Sequence, residues 1–195
     1  DRTLFLSCLC CIMPSIYQLI TRDCPSSMAQ LSAHVSPLLA RLYASRGIES
    51  VEQLGLKLQG LIPAQQLKGL SEAVRLLDAA IEQQTRILIV GDFDADGATS
   101  TALMVLALRQ MGAQVDYLVP DRFKYGYGLT PEIVALAIQD YQPELIVTVD
   151  NGISSHAGVD AAHAAGIQVI ITGHHLTTKQ VPQCAAVVNP NQPDC

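Results

Sequence analysis

Three carboxylates crowd the end of an uncharged, β-branched run: Ile87-Leu-Ile-Val90 is followed, after Gly91, by Asp92, Asp94 and Asp96. The run is short and apolar at every position, as in a strand covered on both faces. Gly97 permits a tight turn, and 98–111 has helical composition. Strand, acidic elbow and helix in this order constrain the fold more than any other stretch of the chain. Like charges this close oppose folding unless a cation sits among them, and a divalent metal is the usual one.

The rest of the second half repeats the alternation. Strands are predicted at 87–92, 114–119, 145–150, 169–172 and 186–188, and helices at 98–111, 131–141 and 155–165. Pro131 suits a first helical turn behind Thr130, while Gly112 and Gly166 stand where helices should end. Strands alternating with helices imply an α/β fold: a parallel sheet with right-handed crossovers and helices on both faces. The first half reads differently. A helix is predicted over 37–46, stopping at Gly47. A second is predicted over 50–58, with Ser50 as N-cap and Gln53 in capping-box register. A third is predicted over 71–84, with Ala73, Val74, Leu77, Ala80 and Ile81 on one stripe. None of these carries chemistry, and packing is their expected role. The expected organisation is therefore a leader over 1–27 outside the functional fold, a helical segment over 28–84 and an α/β domain over 85–195.

Residues 3–21 hold no charge, which invites a membrane or signal reading, but Ser7, Pro14, Ser15, Tyr17 and Gln18 dilute the stretch and Met28 is a credible start. The net charge of −6 argues against a general electrostatic grip on nucleic acid. It does not exclude a nuclease whose acids carry metal, because local field outranks net charge at a site. The cysteines (Cys8, Cys10, Cys11, Cys24, Cys184 and Cys195) make no disulfide framework in a chain this long, and no His stands near Cys8, Cys10 and Cys11, so free thiols in a reducing, cytoplasmic compartment are expected and a zinc site is not.

In a parallel α/β sheet, ligands bind outside the carboxyl ends of the strands. Polar residues collect there. The first strand ends in Asp92, Asp94 and Asp96, the third in Asp150-Asn-Gly152, and the fourth in Gly173-His174-His175. Mixed oxygen and imidazole donors suit Mn²⁺, Zn²⁺ or Mg²⁺, and two such ions about 3.5–4 Å apart would activate water for phosphoester cleavage. Other readings of the pieces exist. A calcium EF-hand loop beginning at Asp92 would need Glu at position 103, which is Leu. A Walker A loop lacks its Gly-Lys-Ser/Thr. An aspartyl-nucleophile phosphatase of haloacid-dehalogenase type would use Asp94 for attack and Asp96 as acid/base, leaving His174 and His175 unexplained. Asp150-Asn-Gly152 alone could be a turn, and a His pair alone is more often structural. Arg122 and Lys124, in a loop with Gly126 and Gly128, could hold a phosphate or could simply be solvated. Asn189-Pro-Asn-Gln-Pro193 reads as a turn or connector, and His34, His156 and His163 as surface or structural residues.

Val90-Gly-Asp-Phe-Asp-Ala-Asp-Gly-Ala-Thr-Ser100, Gly126-Tyr-Gly-Leu129, Val149-Asp-Asn-Gly-Ile-Ser-Ser-His-Ala-Gly158 and Gly173-His-His-Leu176 together resemble the DHH phosphoesterase superfamily, in its branch of single-strand-specific 5′-to-3′ DNA exonucleases. The similarity runs from about Ser36 to Cys195. It implies metal-binding, catalytic roles for Asp94, Asp96, Asp150 and His174, with Asp92 as an auxiliary ligand. It implies that His175 holds metal or the scissile phosphate, and that Arg122 lies near the 5′ end of the strand. The implied cofactors are two Mn²⁺ or Mg²⁺ ions. The implied partners are single-stranded DNA and a helicase or single-strand-binding protein, with no membrane. The implied reaction is hydrolysis to 5′-mononucleotides in DNA repair and recombination. Gly173 departs from the motif's leading Asp, and the family has a further metal-ligating Asp and a second domain that this chain does not contain. On the resemblance, the chain is an incomplete exonuclease, weakly active or inactive. Alternatively it is a degenerate, non-catalytic member.

Overall fold

The computed structural model describes residues 20, 23–55, 57–177 and 180–195. The expectations for 1–19, including the uncharged stretch and Cys8, Cys10 and Cys11, lie outside the described residues. The chain divides into two compact units, one ending at Leu61 and the other starting at Ile62.

The first unit is a small helical cluster. Helix α1 covers Ser27–Leu31 and α2 covers Pro37–Ala44. Ser36 caps α2 by accepting from the Leu39 N–H, and Pro37 fills a first-turn position whose missing N–H costs nothing there. Leu31, Ala40 and Ala44 form the buried centre, with Tyr43, Ile48, Val51 and Leu54 packed around it. The helix expected over 50–58 does not form. Among the described residues of this stretch, two 3₁₀ turns are present, Glu52–Leu54 and Leu58–Gly60. The Gln53 side chain does accept from the Glu49 and Ser50 N–H groups, half of a capping arrangement. Gly55 then turns extended, and a nucleus this short cannot carry a glycine penalty of about 1 kcal/mol.

The second unit is an α/β body. In chain order it contains a 3₁₀ turn Ala64–Gln66, α3 Leu70–Glu82, β1 Ile87–Gly91, α4 Ala95–Gln110, β2 Val115–Leu118, α5 Arg122–Tyr125, α6 Pro131–Tyr141, β3 Leu145–Val149, α7 His156–Ala164, β4 Gln168–Thr172 and β5 Ala186–Val188. The five strands are all parallel in the order β2-β1-β3-β4-β5. Alternate residues of the central strands serve opposite faces. Ile87, Ile89, Leu145, Val147 and Ile170 pack with α3 and α4. Leu88, Val90, Ile146, Val169 and Ile171 pack with α6 and α7. Helix α3, grouped by sequence with the leading helices, thus belongs to the sheet. Ala73 and Ala80 are buried in the sheet's core, with Leu70, Leu76, Leu77 and Ile81 beside them. Val74, expected on that stripe, faces outward instead. Helix α4 begins earlier than predicted because Asp94, not a later residue, is its N-cap and accepts from the Gly97 N–H. No helix among the described residues is long and apolar enough to cross a membrane.

Helix α7 can approach the loop before α6 only because position 158 has no side chain: a Cβ there would fall inside the Leu129 carbonyl group. Gly112, by contrast, has φ of 88° and open space around it. Gly158→Ala is therefore expected to lower stability by about 2–3 kcal/mol through backbone displacement. Gly112→Ala should cost only about 1 kcal/mol of left-handed strain. Urea denaturation of the two variants beside the parent checks the order, and equal losses would refute the close approach.

Candidate metal centre

The parallel register brings the site together. Gly91 pairs with Val149, and Val149 with Thr172, so the three central strands end level with one another. The next residue of each strand is Asp92, Asp150 and Gly173 respectively. Asp94 follows as the cap of α4, and His174 and His175 leave β4 on a stretch without regular structure.

Asp150 has φ of 62°, an uncommon conformation for a residue with a side chain. Its neighbours hold it there. Its N–H donates to the Thr172 carbonyl at 3.0 Å, and Tyr127 donates its hydroxyl to the Asp150 carbonyl at 3.1 Å. The buried Asn151 amide donates to the Val90 and Val149 carbonyls at 3.1 and 3.0 Å, bolting the turn to β1 and β3. The side chain is thereby driven into the cluster. Both its oxygens are buried and neither makes a hydrogen bond.

Two sets of donors, each within 4.8 Å of one another, share this carboxylate: Asp150 with His174 and His175, and Asp92 with Asp94 and Asp150. His174 Nε2 lies 3.2 Å and His175 Nδ1 3.6 Å from Asp150 Oδ1. A carboxylate with two buried, unsatisfied oxygens, common to an imidazole-rich and a carboxylate-rich set, is what a pair of divalent ions would share. Asp96, expected among the ligands, belongs to neither set; its exposed carboxylate stands 3.9 Å from His174 Nε2 at the rim.

The electrostatics agree. Burial pushes the Asp150 carboxyl above the usual range; Asp94 and Asp96 push it further while the two imidazoles oppose the shift. The Gly97 N–H at the start of α4 holds Asp94 below its usual range. Burial first, and then the negative charges of Asp92 and Asp150, raise the Tyr127 hydroxyl to about 12, so it remains a donor at physiological pH.

Arg122 is paired within the protein. Its Nη2 meets both oxygens of the buried Asp92 at 2.8 and 3.0 Å. Its guanidinium lies 4.3 Å from the Phe93 ring centroid and 4.9 Å from that of Tyr127. Arg122 is thus first the ion-pair partner of a buried carboxylate, while its own buried Nε has no partner. Lys124 turns away, over the Tyr125 ring. His34, His156 and His163 join neither donor set. Sequence reasoning missed Tyr127, Asn151 and the Asn189-Pro-Asn191 turn. The amides of Asn189 and Asn191 donate to the carbonyls of His175 and His174. Only Gly126-Tyr-Gly128 carried a local hint, an aromatic residue between two glycines that permit positive φ.

Fold and site together define a parallel α/β domain with a carboxylate and imidazole cluster at the carboxyl edge of its sheet. A sequence model of the DHH family, N-terminal domain, matches residues 86–195, and the chain belongs to that family. Among its relatives is the single-stranded-DNA-specific exonuclease RecJ of Escherichia coli (strain K12), 55% identical over 168 residues, which are 86% of this chain and 29% of that protein. The RecJ of Thermus thermophilus is 40% identical over 156 residues, covering 80% and 22% respectively. Of solved structures, an exonuclease RecJ bound to manganese superposes with a TM-score of 0.62 at 40% identity, covering 69% of this chain and 34% of that one. RecJ from Thermus thermophilus in complex with Mn²⁺ gives 0.58 at 35% identity, covering 90% and 25%. The chain therefore spans less than a third of the length of these sequence relatives.

If the buried Asp150 charge is compensated by metal, Mn²⁺ should raise the melting temperature, by about 2.7 kcal/mol of stabilisation at a hundredfold excess over Kd. Asp150→Asn tolerates the positive φ, removes the buried charge and should melt higher than the parent without metal while losing the Mn²⁺ response. Calorimetry with and without Mn²⁺ decides; an undiminished response in the variant would exclude Asp150 as a ligand.

Proposed function

We propose that the α/β domain is the metal-binding catalytic part of a single-stranded-DNA exonuclease that acts in the 5′-to-3′ direction and releases 5′-mononucleotides. The observation that carries this reading is Asp150, shared by two donor sets with both oxygens unsatisfied. Asp150, His174 and His175 would hold one ion, and Asp94 with Asp150 a second, with Asp92 and Asp96 supporting them. Mn²⁺ fits the mixed donors, and relatives of this chain are described as bound to it. Bound metal would supply an activated water and neutralise charge on the scissile phosphate.

The chain's own groups prepare that chemistry. The positive φ at Asp150, locked by Tyr127 and Asn151, aims a carboxylate into the cluster before substrate arrives. Asp94, kept ionised by the Gly97 N–H, stays a ligand rather than an acid. The Arg122 side chain is about a third exposed beside the acids, which suits a role near the strand's 5′ end. A single strand is favoured by the rings beside it. Phe123 is 92% exposed, Phe93 48%, and their centroids are 6.4 Å apart. Unpaired bases can stack on such faces, for about 1–3 kcal/mol each, while paired ones cannot. The cellular setting that follows is cytoplasmic DNA repair and recombination, with a helicase or single-strand-binding protein presenting the strand.

Gly173 is the departure that favours a second reading, a non-catalytic module. A Cβ there would meet nothing nearer than the Asp150 Cα at 3.7 Å, so a carboxylate could be accommodated beside the cluster. The test is Mn²⁺-dependent release from 5′-labelled single-stranded and duplex DNA by the chain, by Gly173→Asp, and by a version extended through the remaining length of its relatives. Single-strand-specific release is expected, strongest in the extended form, with Gly173→Asp gaining about 10–100-fold. Phe123→Ala should weaken single-strand binding by at least about fivefold. Silence of every form while Mn²⁺ still binds would establish the non-catalytic module.

A further inference from the structure

His174 is 63% and His175 44% exposed, and their ring contacts are only with each other and with the edge of Tyr127, so burial alone does not fix their backbone. They also lie on a stretch with no regular structure. Besides the Tyr127 hydroxyl, 3.4 Å from His175 Nδ1, what holds them is a run of bonds to three consecutive backbone groups, made from β5 and the turn after it. The Gly173 N–H donates to the Val188 carbonyl at 3.1 Å. The Asn191 amide donates to the His174 carbonyl, and the Asn189 amide donates to the His175 carbonyl at 3.0 Å.

We propose that Asn189 and Asn191 are positioning residues for metal binding: their side-chain amides clamp the backbone of His174 and His175, and so set both imidazoles against Asp150. The inference rests on the metal reading of the site but goes beyond its ligands. The turn is built for the task. Asn189 is completely buried, and its Oδ1 accepts the Asn191 N–H at 2.7 Å. That bond fixes which way its amide points, leaving Nδ2 for His175. The buried Gln192 anchors the same turn from below, donating to the Lys68 and Val187 carbonyls at 3.0 and 2.9 Å. The Asn189-Pro-Asn-Gln stretch is therefore a scaffold whose donors end on the two histidines, rather than a plain connector. Groups that orient ligands in this way typically govern metal affinity nearly as strongly as the ligands themselves.

Asparagine to aspartate changes one atom and reverses its role. Asn189→Asp keeps the Oδ1 acceptor for the Asn191 N–H but sets an acceptor against the His175 carbonyl, and Asn191→Asp does the same at His174. Three readouts follow on the 195-residue chain: circular dichroism for folding, ¹⁵N imidazole resonances of the metal-free protein, and Mn²⁺ titration by electron paramagnetic resonance with detection of imidazole-nitrogen coupling. Expected are folded variants with displaced His174 and His175 resonances, Mn²⁺ affinity lowered by about 10–100-fold, and weakened nitrogen coupling while carboxylate-bound Mn²⁺ persists. Parental resonances and parental affinity in both variants would overturn the clamp. A parent chain that binds no Mn²⁺ would sink the metal reading instead, and the resonances of the metal-free protein would still judge the clamp. Asn191 is exposed, so its variant decides the matter should the buried Asn189→Asp fail to fold.

Discussion

A buried carboxylate with no hydrogen bond is the constraint from which the rest of this domain follows. Asp150 directly follows the central strand β3 in a left-handed conformation, and its neighbours keep it there. Left alone, such a group would take up a proton or turn to solvent, because a buried unpaired charge is among the costliest things a fold can hold. Here the backbone denies it solvent. Asn151 locks the turn between β1 and β3, Tyr127 seizes its carbonyl, and Thr172 takes its N–H. The strain is local, in the sense usual for functional sites: structure that costs stability in the isolated chain would be offset by binding a cation.

The second acid of the strand ends, Asp92, solves the same problem in a different way. It is equally buried but has a resident cation, Arg122, delivered by α5, the short helix that follows β2. The guanidinium is stacked against Phe93 and Tyr127, so the loop carrying Arg122, Phe123 and Tyr127 is tied to the cluster by charge, by ring contact and by one hydroxyl. This divides the carboxylates into one already compensated by protein and others that are not. The aromatic faces exposed beside Arg122 are then a by-product of the stack that also suits unpaired bases.

Most of the α/β body was legible in the sequence. The strands at 87–92, 145–150 and 186–188 were read within a residue of where they lie, because buried parallel strands announce themselves as short apolar runs. The helix at 131–141 was read to the residue, from Thr130 and Pro131. The failures had local causes. The expected helix at 50–58 had a cap but also Gly55, and a cap cannot carry a nucleus that short. Val74 fell on the predicted stripe of α3 but outside its buried face, since a 3.6-residue period does not say where a sheet will lie. Arg122 was legible as a cation near the site, but not as the partner of an acid 30 residues away.

The sequence by itself determined the parallel α/β class, the acids and imidazoles at the strand ends, and the family those motifs belong to. These are properties of short stretches, set by alternation, turn chemistry and residue type. The tertiary structure alone decided which carboxylate is shared, which is neutralised by arginine, and which stands apart at the rim as Asp96 does. It alone turned Asn189 and Asn191 from turn residues into donors on the histidine backbone. The reason is physical: sheet register and loop anchoring set distances of a few ångströms between residues far apart along the chain, and such distances leave no trace in local periodicity.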